Sequence, residues 1–126
     1  MKNKLRNFFF IITFSLFLFT SVFAMKPFTF NITEIEILEN GNQVNGYKGG
    51  TATTEDGSEI TAKKFFYNKI TNILEAVDDV KYFDKINNII ITSDKLIYLK
   101  NEEKINTLGN SKAINPNNII TASILS

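Results

Sequence analysis

One phrase occurs three times in this chain, and its recurrence limits the folds open to it. The copies are Ile60-Thr61-Ala62-Lys63-Lys64-Phe65-Phe66-Tyr67, Ile91-Thr92-Ser93-Asp94-Lys95-Leu96-Ile97-Tyr98 and Ile120-Thr121-Ala122-Ser123-Ile124-Leu125. They start 31 and then 29 residues apart. Each is rich in β-branched and aromatic residues and follows a turn-prone cluster: Asp56-Gly57-Ser58, Asn87-Asn88 and Pro116-Asn117-Asn118. A period of this size marks stacked supersecondary units. The unit reads as a strand, a turn and a return strand, and it can bury its apolar face only against its neighbours. The third copy runs out at Ser126, so the array is expected to continue past this chain.

Alternation inside the phrase carries a second constraint. Ile60 and Ala62 share one face of an extended strand, whereas Phe65 and Tyr67 share the other. All four reach a common interior only if a bulge near Lys63-Lys64 switches the register. The second copy repeats the break, with Ile91 before Asp94-Lys95 and Leu96 and Tyr98 after it. Elsewhere, Thr33 to Leu38 alternates Ile35 and Ile37 against Glu34 and Glu36, the pattern of a strand with one wet face. Asn40-Gly41-Asn42 tolerates the positive φ of a tight turn. Tyr47 to Thr54 follows as a strand weakened at Gly49-Gly50, where a bulge or a close backbone approach is expected. Ile73 to Phe83 returns with a kink at Asp78-Asp79, and Lys104 to Ala113 leads through Asn115-Pro116-Asn117-Asn118 to the last strand. Seven to eight strands are expected, in an all-β sandwich, roll or β-solenoid. No helical stripe persists for three turns and no Pro/Ser linker interrupts the chain, so residues 25–126 read as one domain.

The first residues read as an address. Lys2, Lys4 and Arg6 precede an apolar run from Phe8 to Phe19, and Ser21-Val22-Phe23-Ala24 suits a signal peptidase, so residues 1–24 are expected to be a signal peptide cut after Ala24. The other reading is an uncut anchor, although Phe8 to Ala24, at 17 residues, lies at the lower edge of the roughly 17–25 that a spanning helix needs. Residues 1–24 hold three of the 14 cations and none of the 13 acids, leaving 11 against 13, a formal −2. That balance leaves no basic stripe for nucleic acid.

The chain has no Cys, His or Trp. The usual ligands of zinc, copper and haem are therefore missing, and so is the commonest general base. No cofactor and no enzymatic activity are expected. Carboxylates are the remaining candidates. Glu34 and Glu36 share a strand face that a glycosidase dyad could use, but alternation alone also explains them as solvated. Asp56-Gly57-Ser58 resembles a fragment of a calcium loop without its further acidic positions. Of the 12 Phe, seven lie in the leader, so the core is mainly Ile and Leu. Those side chains could form a closed core or leave a trough for acyl chains.

Gly57-Ser58-Glu59-Ile60-Thr61-Ala62-Lys63-Lys64-Phe65-Phe66-Tyr67-Asn68-Lys69, with Asn72-Ile73-Leu74-Glu75-Ala76 after it, resembles the repeat of the OstA-like family of periplasmic lipopolysaccharide-transport proteins. The family pattern is roughly I-x-A-D-x-x-x-Y-D followed by A-x-G-x-V. The second copy keeps its acid at Asp94, whereas Lys63 and Asp79 stand where Asp and Gly are usual. The resemblance spans Phe30 to Ser126. It implies an OstA-like β-jellyroll, a V-shaped and open-ended roll that holds the acyl chains of lipid A in its trough. It further implies joining to other OstA-like domains by edge-strand pairing. On that basis Ile35, Ile37, Ile60, Ala62, Phe65, Ile73, Ile91, Leu96 and Tyr98 are expected to line the trough of a periplasmic lipopolysaccharide carrier. Two members of the pathway fit: the small soluble bridge protein, and the periplasmic domain of the outer-membrane assembly barrel, to which the opening Phe30 to Asn42 leans. A structural β-solenoid or surface-array segment without a lipid ligand remains the alternative.

Overall fold

The computed structural model describes residues 28–125; residues 1–27, which include the expected signal peptide, and Ser126 lie outside the described residues. Eight strands follow one another: β1 (Phe28–Leu38), β2 (Gln43–Thr54), β3 (Glu59–Ala62), β4 (Lys64–Asn68), β5 (Ile73–Asp84), β6 (Ile89–Leu99), β7 (Lys104–Ile114) and β8 (Ile119–Leu125). Every pairing is antiparallel, and all the strands belong to one sheet. The order is a meander in which β3 and β4, separated by Lys63, together fill one strand position between β2 and β5. The fold is all-β, as the repeat predicts, and β1 starts five residues earlier than the Thr33 boundary. Phe28, Phe30 and Ile32 extend the alternation backwards.

A crease crosses the sheet. Thr33 in β1 faces Lys48 and Gly49 in β2. Asp94 in β6 faces Asp78 and Asp79 in β5, and Ser123 in β8 faces Gly109 and Asn110 in β7. Lys63 continues this line between β3 and β4, where its amide donates to the Asp78 carbonyl at 3.0 Å and its carbonyl accepts from the Gly49 amide at 2.9 Å. The extra residue on β2, β5 and β7 is accommodated by paired left-handed conformations: Lys48 and Gly49 (φ 63° and 86°), Asp78 and Asp79 (67° and 49°), Gly109 and Asn110 (81° and 48°). Gly and the short polar Asp and Asn tolerate this region best. Bulges bend strands, and a bulge at the matching position of every second strand bends the whole sheet.

The bend brings distant strands together. Phe28 on β1 meets Tyr67 on β4 and Tyr98 on β6 edge-to-face, with ring centroids 5.3 and 5.5 Å apart. β1 and β6 are not neighbours in the sheet, so these contacts cross its interior. Between the two halves lie Ile60, Phe65, Leu74, Ala76, Val80 and Leu96, all essentially inaccessible to solvent. The register switch expected at Lys63-Lys64 is present: Ile60, Ala62, Phe65 and Tyr67 are all buried. Gly46 lets this core close, because a Cβ there would stand 2.7 Å from Ile32 Cδ1.

Candidate functional site

Ile35 and Ile37 extend the inner face beyond the closed core. In β1 they stand directly opposite Gly46 and Val44, and opposite residues in an antiparallel pair share a face. Yet Ile35 is 46% exposed and Ile37 65%, whereas Val44 is buried. No strand flanks β1 on its other side among the described residues, so these two side chains overhang the interior without a cover. Together with Phe28, Phe30, Val44 and Tyr67 they line a cleft of about 670 Å³, within the roughly 300–1,000 Å³ of small-molecule sites.

Polar groups ring this cleft on one side. Lys69 and Asn72 belong to its lining, in the turn between β4 and β5. The Tyr67 hydroxyl donates to the Asn72 side-chain oxygen, and the Asn72 amide donates to Asn101 at 3.0 Å. The backbone amides of Lys69 and Lys100 donate to the carbonyls of Asn42 and Asn72 at 2.8 and 3.1 Å. Successive turns are thereby tied into one rim. Behind Phe28, the Tyr98 hydroxyl donates to Glu103 Oε2 at 3.0 Å, and Lys100 Nζ donates to Glu103 Oε1 at 2.6 Å. Burial raises the phenols of Tyr67 and Tyr98, and the bond to Glu103 raises Tyr98 further. Lys100 holds the Glu103 carboxyl below its ordinary value. These rings are neutral anchors at neutral pH.

The expected trough residues divide into three groups. Ile35 and Ile37 face open space. Ile60, Ala62, Phe65, Leu96 and Tyr98 face the interior but are covered by the protein itself, and Ile91 packs half-buried against them. Ile73 is a correction. It lies on the opposite face of β5 from Leu74 and Ala76, beside Phe66 and Glu75 in a shallow outer cleft. The reason is parity, since β5 stays regular from Ile73 to Val77 and its bulge comes only afterwards. Phe28, Phe30, Val44, Tyr67 and Lys69 were absent from the sequence expectation. The Phe28-Thr29-Phe30-Asn31-Ile32 alternation carried a signal for the first two. Glu34, half of the candidate dyad, is on the wet face, ion-paired to Lys48 at 3.0 Å. Asp56 caps its own turn, accepting from the Thr54 hydroxyl and from the Ser58 amide at 3.0 Å.

No protein-family model and no curated protein matches this chain. Among the described residues, no three His, Cys, Asp or Glu side chains gather as a metal site, and no helix is long and apolar enough to cross a membrane. What the arrangement offers chemically is an apolar recess with a cationic and amide rim, next to an uncovered strand edge.

Proposed function

We propose that this chain is an OstA-like β-jellyroll module that carries or bridges lipopolysaccharide across the periplasm. The observation that supports this reading best is the uncovered apolar inner face at the β1 end, where Ile35 and Ile37 continue the core into open space. Acyl chains entering there would bury surface that water now touches, at about 25 cal/mol per Å². A creased single sheet whose two edge strands have no further partner among the described residues also suits end-to-end joining, because edge backbone groups template a further strand. On this reading residues 1–24 direct export and are removed, the chain catalyses no reaction, and its partners are lipid A acyl chains and other domains of the same kind.

Photo-crosslinkers at Ile35 and Ile37 test the reading in cells that make lipopolysaccharide. Both positions are expected to capture it, whereas a probe at Glu36, on the wet face of the same strand, is not. Capture at Glu36 alone would remove the trough. The sealed centre of the core favours a second reading, a structural β-roll without a lipid ligand. That reading requires no capture at any of the three positions.

A further inference from the structure

Four places among the described residues set an Asn or Asp before a Gly or Ser: Asn40-Gly41, Asn45-Gly46, Asp56-Gly57 and Asn110-Ser111. In such a pair the following backbone nitrogen can attack the side-chain carbonyl carbon, because a small or absent side chain leaves that nitrogen open to approach. The fold holds three of the four against it. Asn45 lies inside β2, paired to Glu36 on one side and Phe66 on the other. Its side chain accepts from Gln43 at 2.9 Å and donates to the Tyr47 hydroxyl at 3.4 Å, and Gly46 is buried against Ile32 and Phe65. Asn110 donates to Asp94 Oδ2 at 2.9 Å, and Ser111 after it is buried and bonded to the Thr107 hydroxyl at 2.6 Å. Asp56 accepts from Thr54 and Ser58, which keeps it a carboxylate and so a poor electrophile. Asn40 differs. It is exposed in the turn between β1 and β2, its side chain makes no hydrogen bond among the described residues, and no residue of that turn is buried. A Cβ on Gly41 would meet nothing within 4 Å. The turn is closed by the Asn42 amide on the Glu39 carbonyl at 3.1 Å, a contact that local fraying opens without disturbing the sheet.

We infer that Asn40 is a site of spontaneous deamidation, at which the β1–β2 turn passes from the amide to aspartyl and isoaspartyl forms while the protein stays folded. The Gly41 nitrogen gives its proton to hydroxide and forms a bond to Asn40 Cγ. The side-chain nitrogen takes up a proton and leaves as ammonia, closing a five-membered imide. Water then opens the ring at one of its two carbonyls. Cleavage at Cγ gives aspartate; cleavage at the main-chain carbonyl gives isoaspartate, with the chain running through the side chain. The sequence consumes only water, and no oxidant or cofactor enters it. Its present backbone (φ 57°, ψ 32°) has to rotate before the nitrogen reaches Cγ, and Gly41 permits that rotation. Either product places a carboxylate beside Glu39, at the end of the edge strand that carries the exposed Ile37 and Leu38. Charge at a strand edge opposes the addition of a further strand. The inference stands apart from the lipid-carrying reading and shares no test with it.

Ageing the intact protein in mildly alkaline buffer, with and without urea, tests this. Conversion is read by peptide mass spectrometry, with fragment ions to separate Asn40 from Asn45 and chromatography to separate the two acidic products. In the folded protein Asn40 is expected to convert at least about tenfold faster than Asn45 or Asn110, because an exposed turn opens far more often than a paired strand. In urea Asn45 should approach the rate of Asn40, since both then precede a glycine in an open chain. The folded-state rate at Asn40 should rise with pH, as the attacking nitrogen must lose its proton. Asn40→Gln, whose longer side chain cannot close the five-membered ring, should abolish the acidic species seen by ion exchange. Asn40→Asp should reproduce its elution and keep the circular dichroism of the wild type. Equal rates at Asn40 and Asn45 in the folded protein would overturn the inference. So would conversion of both in urea with none at Asn40 in the folded state, which would show that the turn holds its backbone fixed. Loss of the native circular dichroism in Asn40→Asp would also overturn it, because the folded turn would then not accept the product.

Discussion

Leu74 and Ile73 are adjacent in β5 but lie on opposite faces, so truncating each reports a different environment. Leu74 is fully buried, and Leu74→Ala should cost about 2–5 kcal/mol through lost transfer energy and the cavity left behind. Ile73, half wet on the outer face, should cost about 1 kcal/mol. Urea midpoints of the two variants decide it, and equal losses would return Ile73 to the interior. The buried phenols set the alkaline limit. Tyr67, Tyr82 and Tyr98 are all raised above 10.0, with burial the first cause of each. A raised folded value means that the unfolded chain loses its protons first. Their contribution is complete below pH 10.0 and fades as pH rises through the folded values. Stability should therefore fall above pH 10, and Tyr82→Phe should flatten that fall in urea titrations followed by circular dichroism. In acid the sign reverses. Glu103, lowered by Lys100, and Asp56, lowered by the Thr54 hydroxyl, contribute above their ordinary values of 4.5 and 3.8 and lose this as pH falls through their depressed ones. Both are largely exposed, which keeps their share small.

The strands depend on the crease for the direction in which their side chains point. Leu74 and Ala76 face inward before the Asp78-Asp79 bulge, and Val80 and Tyr82 face inward after it. Deleting Asp79 makes β5 regular and turns Val80 and Tyr82 toward solvent, because a one-residue slip moves a strand's whole apolar set to the other face. The deletion is expected to abolish cooperative unfolding, measured by circular dichroism in urea. Deleting Asn117, in the exposed turn before β8, should be tolerated far better. Gly109 makes the same point by substitution. Its φ is 81°, and a Cβ there would stand 2.5 Å from Asp94 Oδ2. Gly109→Val joins a forbidden backbone to that clash and should cost about 1–3 kcal/mol, whereas Gly109→Asn should cost less.

At the scale of the molecule, a meander stacks each strand mainly on its neighbours in the chain and leaves two edges among the described residues. β1 ends one side and β8 the other, and Ile120, opposite Ala113 on the inner face, is 55% exposed. Two different edges meeting head to tail form a heterologous contact that need not close. The bridge reading therefore expects the sedimentation coefficient to rise with concentration. Ile120→Lys places a charge on an edge, a common device against strand addition, and should hold the protein monomeric without altering its circular dichroism. A wild type that stays monomeric across the series would separate cargo binding from bridging.

Repetition and parity make much of this fold legible in the sequence. A strand-turn-strand period near 30 residues implied an antiparallel stack. The broken alternation at Lys63-Lys64 and Asp94-Lys95 required a register switch, because Ile60 and Phe65 cannot otherwise both be buried. Ile35 and Ile37 were recognisable as an inward pair against Glu34 and Glu36, since a strand's two faces are written in its odd and even positions. Three things were decided only by tertiary structure. The bulges align into one crease because left-handed pairs recur at Lys48-Gly49, Asp78-Asp79 and Gly109-Asn110, positions whose residue types differ and whose common role emerges once the strands pair. Closure of the middle and openness of the β1 end depend on which strands lack a neighbour, and burial is a property of neighbours rather than of a residue's own type. Lys69 joins the cleft because folding carries the β4–β5 turn to the side of β1, some thirty positions away along the chain, a proximity that no local pattern encodes.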